Sequence, residues 1–182
     1  MTTPPQEAIT ILEQVLKQFA APDPPLEPIL RQCLHVCRIL RWTDRLAWFE
    51  REVNGYPSDE SRPPYRMIHG TANWQPDATM GDSAMWLAEL AVSGKSRADS
   101  AKEDVTLDVY ADLGWIVRAS QSGFSETTGE TRQSRLDSGM PVQLRRVRSF
   151  SGPSFLNCIS AVRNMTFNFV SQALKQLKYR SE

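Results

Sequence analysis

Leu26, Ile29, Leu30, Cys33, Leu34, Cys37 and Leu40 recur at a spacing of three and four residues. That pattern is a helix with one continuous apolar stripe over four turns. Its other side holds Arg31, Gln32, His35, Arg38 and Arg41. Such a stripe must be covered, so the chain has to supply further elements that pack on it. Ile9, Leu12, Val15, Leu16 and Phe19 mark one neighbour, a helix over 7–20. Asp23-Pro24-Pro25 ends it, because a proline inside a helix forfeits a hydrogen bond. Trp42, Leu46, Phe49 and Val53 mark a third helix, with Trp48 and Glu52 on a different face. Thr43 is its expected N-cap, Asp44 suits its first turn, and Asn54-Gly55 is its stop signal. The second and third helices are joined so tightly that they must form an antiparallel hairpin.

The last third of the chain offers the largest apolar surface. Ser151-Gly152-Pro153 starts a helix, with proline where its missing N–H does no harm. Phe155, Ile159, Val162, Thr166, Phe169, Ala173 and Leu177 trace one face, widened by Leu156, Phe167, Val170 and Leu174. This helix should be central to the core. The middle reads as strands. Tyr65 to Trp74 alternates in part (Tyr65, Met67, His69), Val105, Leu107 and Val109 alternate with Thr106, Asp108 and Tyr110, and 142–150 leads into the last helix. Residues 57–64 form a polar loop. Residues 85–92 suit a short helix or a buried strand, 94–104 are polar and exposed, and 120–139 read as a long mobile loop. The expected class is α+β, mainly helical. N-terminal helices and a long C-terminal helix pack with a small middle β-sheet in one domain over 1–182.

A chain of 182 residues buries roughly 70% of the surface that its unfolded state exposes, so it needs no metal or disulfide staple. The three cysteines form no CxxC and read as small apolar residues in a reducing compartment. No apolar run approaches the ~20 residues of a membrane span. The first residues lack the basic and apolar regions of a signal peptide. A cytoplasmic protein without membrane contact is the expectation. Lys plus Arg and Asp plus Glu are both 21, which argues against nucleic acid as a partner. That balance hides an asymmetry. Residues 1–137 carry 14 basic and 20 acidic side chains, whereas 138–182 carry 7 and 1. Either the two parts complement each other, within one fold or across a homo-oligomer, or the basic part faces an anionic partner. Arg145, Arg146, Arg148 and Arg163 are the candidates for that surface. On a strand, Arg146 and Arg148 share a face and Arg145 takes the other.

Sites for chemistry are sparse. Neither His35 nor His69 sits in a nucleophile motif, and there is no GxSxG. His35 points away from Cys33 and Cys37 on a helix, which disfavours zinc. The phosphate-cradling motifs GxGxxG and GxxxxGK[ST] are absent. Glu103, Asp104, Asp108 and Asp112 form a carboxylate run, but Asp104 and Asp108 share a strand face with Thr106 and suit a solvated side. The expectation is no catalytic residue, no metal and no cofactor.

One block remains. Trp48-Phe49-Glu50-Arg51-Glu52-Val53-Asn54-Gly55-Tyr56-Pro57 is followed by Pro63-Pro64-Tyr65-Arg66. Trp48, Tyr56 and Tyr65 can form an aromatic cluster with Arg66 stacked on it. The plainer meaning is a clasp that holds helix, loop and strand together. The functional one is a ligand or partner pocket centred on Glu52, Asn54, Tyr56 and Arg66. Trp48, Gly55, Pro64 and Tyr65 complete the candidate motif.

This block resembles the AbiTii family of bacterial abortive-infection proteins, with a helix ending Glu-Leu-Asn-Gly-Tyr, a polar loop and Pro-x-Tyr-Arg. Val53 replaces the leucine. Ala161-Val162-Arg163-Asn164, with Phe169 downstream, resembles the family's C-terminal helix. The likeness spans about 26–70 and 140–178. Residues 1–22 look like an extension before the usual start, and 75–135 do not align. The resemblance implies a non-enzymatic part of an anti-phage system, a sensor, adaptor or restraint. Its partner would be a co-encoded defence protein or a phage protein. The alternatives are a direct-acting toxin, such as a metal-dependent nuclease using 103–112, and a nucleic-acid-binding module using the C-terminal arginines.

Overall fold

The apolar stripe at 26–40 is covered on one side by a preceding helix and on the other by a following one. In the computed structural model, which describes residues 3–76, 102–135 and 141–179, α1 spans Pro4–Phe19, α2 Leu26–Leu40 and α3 Thr43–Asn54. Ile29, Leu30, Cys33, Val36 and Cys37 of α2 are fully buried. α1 contributes Ala8, Leu12 and Val15 to the same core, so it is an integral layer of the fold. Thr43 is the first residue of α3, and Trp42 holds the cap position without a side-chain hydrogen bond. Gly55 ends the helix with φ +92°, as Asn54-Gly55 predicts.

A 3₁₀ turn at Pro64–Arg66 leads into β1 (Met67–Pro76). Then come β2 (Glu103–Asp108), α4 (Leu113–Ser122), β3 (Phe124–Arg135), β4 (Pro141–Phe150) and α5 (Gly152–Tyr179). The strands form one antiparallel sheet in the order β2-β1-β4-β3. Five α-helices and a four-stranded sheet among the described residues make the fold α+β and mainly helical, as expected. α5 is the central helix. It packs on α1, α2, α4 and β1 and buries Phe155, Cys158, Val162, Thr166 and Val170 completely.

Three expectations need correction. The first is the loop at 120–139, which is not a loop over its described part. Residues 120–122 finish α4, and 124–135 form β3, a strand paired with β4 from Phe124↔Phe150 to Arg135↔Pro141. β3 is an edge strand in which residues 125–133 are exposed or half-buried, so it carries no apolar alternation to read. Backbone pairing and cross-strand charges hold it instead. The second is the face of β1. Ile68 and Ala72 are the buried positions, whereas Met67 and His69 are exposed. The third is α4, absent from the sequence reading. Asp112, assigned to a carboxylate run, is its N-cap and accepts from the Trp115 N–H at 2.8 Å. Segment 85–92 lies outside the described residues, as do 136–139 of the expected loop.

Gly70 marks the closest approach within the sheet. The Phe150 ring lies where a Gly70 side chain would project, and a Cβ there would also stand 2.5 Å from the Ser149 carbonyl oxygen. Gly70→Ala is therefore expected to destabilise the fold by about 1–3 kcal/mol through overpacking. Urea unfolding checks this, since the midpoint should fall with little change in slope.

Candidate functional site

α3 presents Glu52 on the face opposite to solvent, one turn after Trp48. Gly55 then turns the chain in a conformation open to glycine. A Cβ at that position would stand 2.7 Å from the Tyr110 carbonyl oxygen. The turn lets the Tyr56 N–H reach that same carbonyl at 2.7 Å and folds the Tyr56 ring back beneath the helix. Pro63 and Pro64 stiffen the second approach, and the 3₁₀ turn places Tyr65 and Arg66 beside the helix end.

Glu52 and Arg66 are both fully buried and form an ion pair. The Glu52 Oε1 accepts from the Tyr56 hydroxyl at 2.6 Å and from the Tyr65 hydroxyl at 2.8 Å. The Tyr65 hydroxyl in turn accepts from the Trp48 indole N–H at 2.9 Å. The Arg66 Nη2 donates to Glu52 Oε2, and Nη1 donates to the Ala111 carbonyl at 2.6 Å. Its guanidinium lies 4.9 Å from the centroid of the Tyr56 ring. The Arg66 backbone takes part as well, because its carbonyl accepts from the Val109 N–H at 3.0 Å. The cluster therefore joins α3, the 3₁₀ turn and the β2–α4 link. α5 closes it through Cys158, whose thiol burial pushes up to about 11, with Arg66 opposing and Glu52 adding to that rise.

Of the motif residues, Trp48, Glu52, Tyr56, Tyr65 and Arg66 meet in this cluster. Gly55 provides its turn and Pro64 begins its 3₁₀ segment. Asn54 is exposed and stands outside it. Sequence reasoning missed Tyr110, Ala111 and Cys158. The first two contribute backbone carbonyls, which leave no side-chain signal. Burial, the Glu52 carboxylate and its hydrogen bond push the Tyr56 hydroxyl strongly up. Burial and the same carboxylate push Tyr65 up to about 12.

The arginine cluster lies elsewhere. Arg148 and Arg146 face the same side of the sheet as their partners Ala72 and Trp74, and Arg145 faces the other side, as the strand pattern predicts. Arg146 pairs with Glu103 and Glu130, and Arg148 pairs with Glu126. Arg163 is half-buried on α5. Lys178 pairs with Glu13 at 2.7 Å. The basic C-terminal part thus meets the acidic remainder inside one chain. The carboxylates of 103–112 have separate roles: Glu103 holds Arg146, Asp108 pairs with Arg62 at 2.9 Å, and Asp112 caps α4. No group of three or more metal-binding side chains occurs among the described residues. His35 and His69 are exposed, and His35 lies 3.7 Å from Glu7.

The family model AbiTii matches residues 10–180, nearly the whole chain. The match includes the middle segment that the motifs alone leave unaligned, and it begins inside α1. No curated protein and no solved structure matches the chain.

Removing one partner of a buried ion pair leaves the other charge uncompensated. Glu52→Gln and Arg66→Leu should each cost about 3–5 kcal/mol, and the double variant clearly less than their sum. Chemical denaturation of the four proteins measures the coupling. The phenols give a pH signature. The folded state keeps Tyr65 protonated to about 12, whereas the unfolded chain releases its proton near ~10. The resulting stability is fully present below ~10 and is lost as pH rises from there through about 12. Urea midpoints at pH 8, 10 and 11 should fall across that range, and more shallowly for Tyr65→Phe.

Proposed function

The chain belongs to the AbiTii family, and from that premise we propose that it acts as a non-enzymatic sensor, adaptor or restraint in a bacterial abortive-infection system. The family membership itself points to phage defence. The finer reading places the protein in the cytoplasm, working through contacts with a co-encoded defence protein or a phage protein.

The observation that carries this reading is the commitment of the family's signature residues to structure. Glu52 and Arg66, the charged pair at the centre of the candidate pocket, are both fully buried and spent on each other. A catalytic acid or base must reach the proton that it transfers. The carboxylates at 103–112 support the same reading, because an arginine or a helix end holds each of Glu103, Asp108 and Asp112. No helix among the described residues is long and apolar enough to cross a membrane.

Tagged protein expressed with its neighbouring genes is expected to co-purify with a neighbour's product in fixed stoichiometry. That complex should form or dissolve on phage infection, as read by mass-resolved chromatography. An unchanged lone monomer or homo-oligomer would count against the reading. Magnesium-dependent cleavage of RNA or DNA by the wild type, lost in Asp108→Asn, would replace it with a nuclease.

A further inference from the structure

The turn between α2 and α3 and the C-terminal half of α5 enclose a groove of about 380 Å³ that shares no residue with the Glu52 cluster. Phe169 and Trp42 form its apolar base, with their rings edge to face at 6.0 Å. Arg41 and Arg45 stand on one rim, and Gln172 and Gln176, four residues apart on α5, stand on the other.

Arg41 is the one non-glycine residue with positive φ among the described residues, at +54°. It closes α2 in a left-handed cap, with its own N–H on the Arg38 carbonyl and the Trp42 N–H on the Cys37 carbonyl. Glycine takes that conformation without steric cost and is the usual residue there. An arginine at such a position is strained, which points to a use for its side chain. The charge environment agrees. Arg31, Arg38, Arg51, Arg62, Arg66, Arg146 and Arg148 are all held in ion pairs. Arg41 and Arg45 are exposed and, like Arg118 and Arg163, have no ion pair among the described residues, and the two stand together on this groove. Asp44 on the same rim lies in the first turn of α3, where the helix dipole offsets its charge.

We propose that this groove docks an acidic peptide segment of a partner protein. Carboxylates pair with Arg41 and Arg45, an apolar side chain packs on Trp42 and Phe169, and the Gln172 and Gln176 amides bond the peptide backbone. The inference rests on the adaptor reading and names the surface that reading requires.

Fluorescence anisotropy tests it with a labelled six-residue peptide of alternating glutamate and leucine. The same peptide with lysine for glutamate and an eight-nucleotide single-stranded DNA are the counter-probes. The acidic peptide should bind, the basic one should not, and salt should weaken binding. The double variant Arg41→Gly/Arg45→Glu should weaken it at least tenfold, and Arg118→Glu should leave it unchanged. Arg41→Gly alone should unfold at the same or a higher urea concentration, so that lost binding is not lost folding. No binding by the wild type, equal binding by the double variant, or a lower urea midpoint for Arg41→Gly would overturn the proposal. Tighter binding of the DNA, lost in the same variant, would reassign the groove to nucleic acid. A neighbour's product that co-purifies equally with wild type and double variant docks elsewhere, which sinks this inference and leaves the adaptor reading standing. Peptide binding without any co-purifying neighbour does the reverse.

Discussion

Two opposite charges sealed from water at the end of α3 set the terms for the rest of this fold. Taking a carboxylate and a guanidinium out of solvent costs several kcal/mol each, and only close pairing with saturated hydrogen bonds offsets it. Glu52 finds its partners in two phenols and Arg66, and Arg66 finds its own in Glu52, the Ala111 carbonyl and the Tyr56 ring, with its buried Nε alone lacking a hydrogen bond among the described residues. These partners come from α3, the turn after it, the 3₁₀ segment and the link before α4. Each segment must arrive in register, because a misplaced one strands a charge in the interior. Displacing one partner therefore costs more than the intact pair contributes, which penalises arrangements of hairpin against sheet that separate Glu52 from Arg66.

The sheet solves a different electrostatic problem by a different means. β4 brings Arg146 and Arg148 into the middle of a four-stranded sheet, opposite Trp74 and Ala72 of β1. Their charges are met laterally, by Glu103 from β2 on one side and by Glu126 and Glu130 from β3 on the other. These pairs are partly exposed, so each is worth far less than the buried one. Their combined effect is on register, since a two-residue slip of β3 would separate Glu126 from Arg148.

What was legible in the sequence follows from how each element is stabilised. α2, α3 and α5 bury a broad apolar stripe, and so does α1, and a stripe writes a period of 3.6 into the residues. The contents of the clasp were legible too, because Asn-Gly-Tyr and Pro-Tyr-Arg combine a helix stop, an aromatic and a cation. Its central bond was not, since the sequence groups Glu52 with Arg66 but does not say that the two charges close on each other rather than on a ligand. β3 was illegible for the opposite reason. It is an edge strand held by ladder hydrogen bonds and charge pairs, and such a strand has the composition of a loop. The face of β1 was misread because Gly70 and Ala72 are small where an inward position is normally large. Phe150 fills the space above Gly70, so the apolar group that belongs to β1 is supplied by β4.

The two ends of α3 illustrate how one short helix can divide structural and interaction duties. Its C-terminal end is closed by buried charge and a glycine turn that tolerates no side chain. Its N-terminal end starts without a side-chain cap, beside a strained arginine and an open groove. Phe49 connects them. It is fully buried, touches Trp48 of the clasp edge to face at 4.7 Å and Phe169 of the groove at 4.8 Å, and Phe169 in turn meets Trp42. A rigid anchor at one end fixes the position of the rim at the other. Such a helix presents the same surface in every copy of the protein, which is the property that recognition through a preformed groove requires.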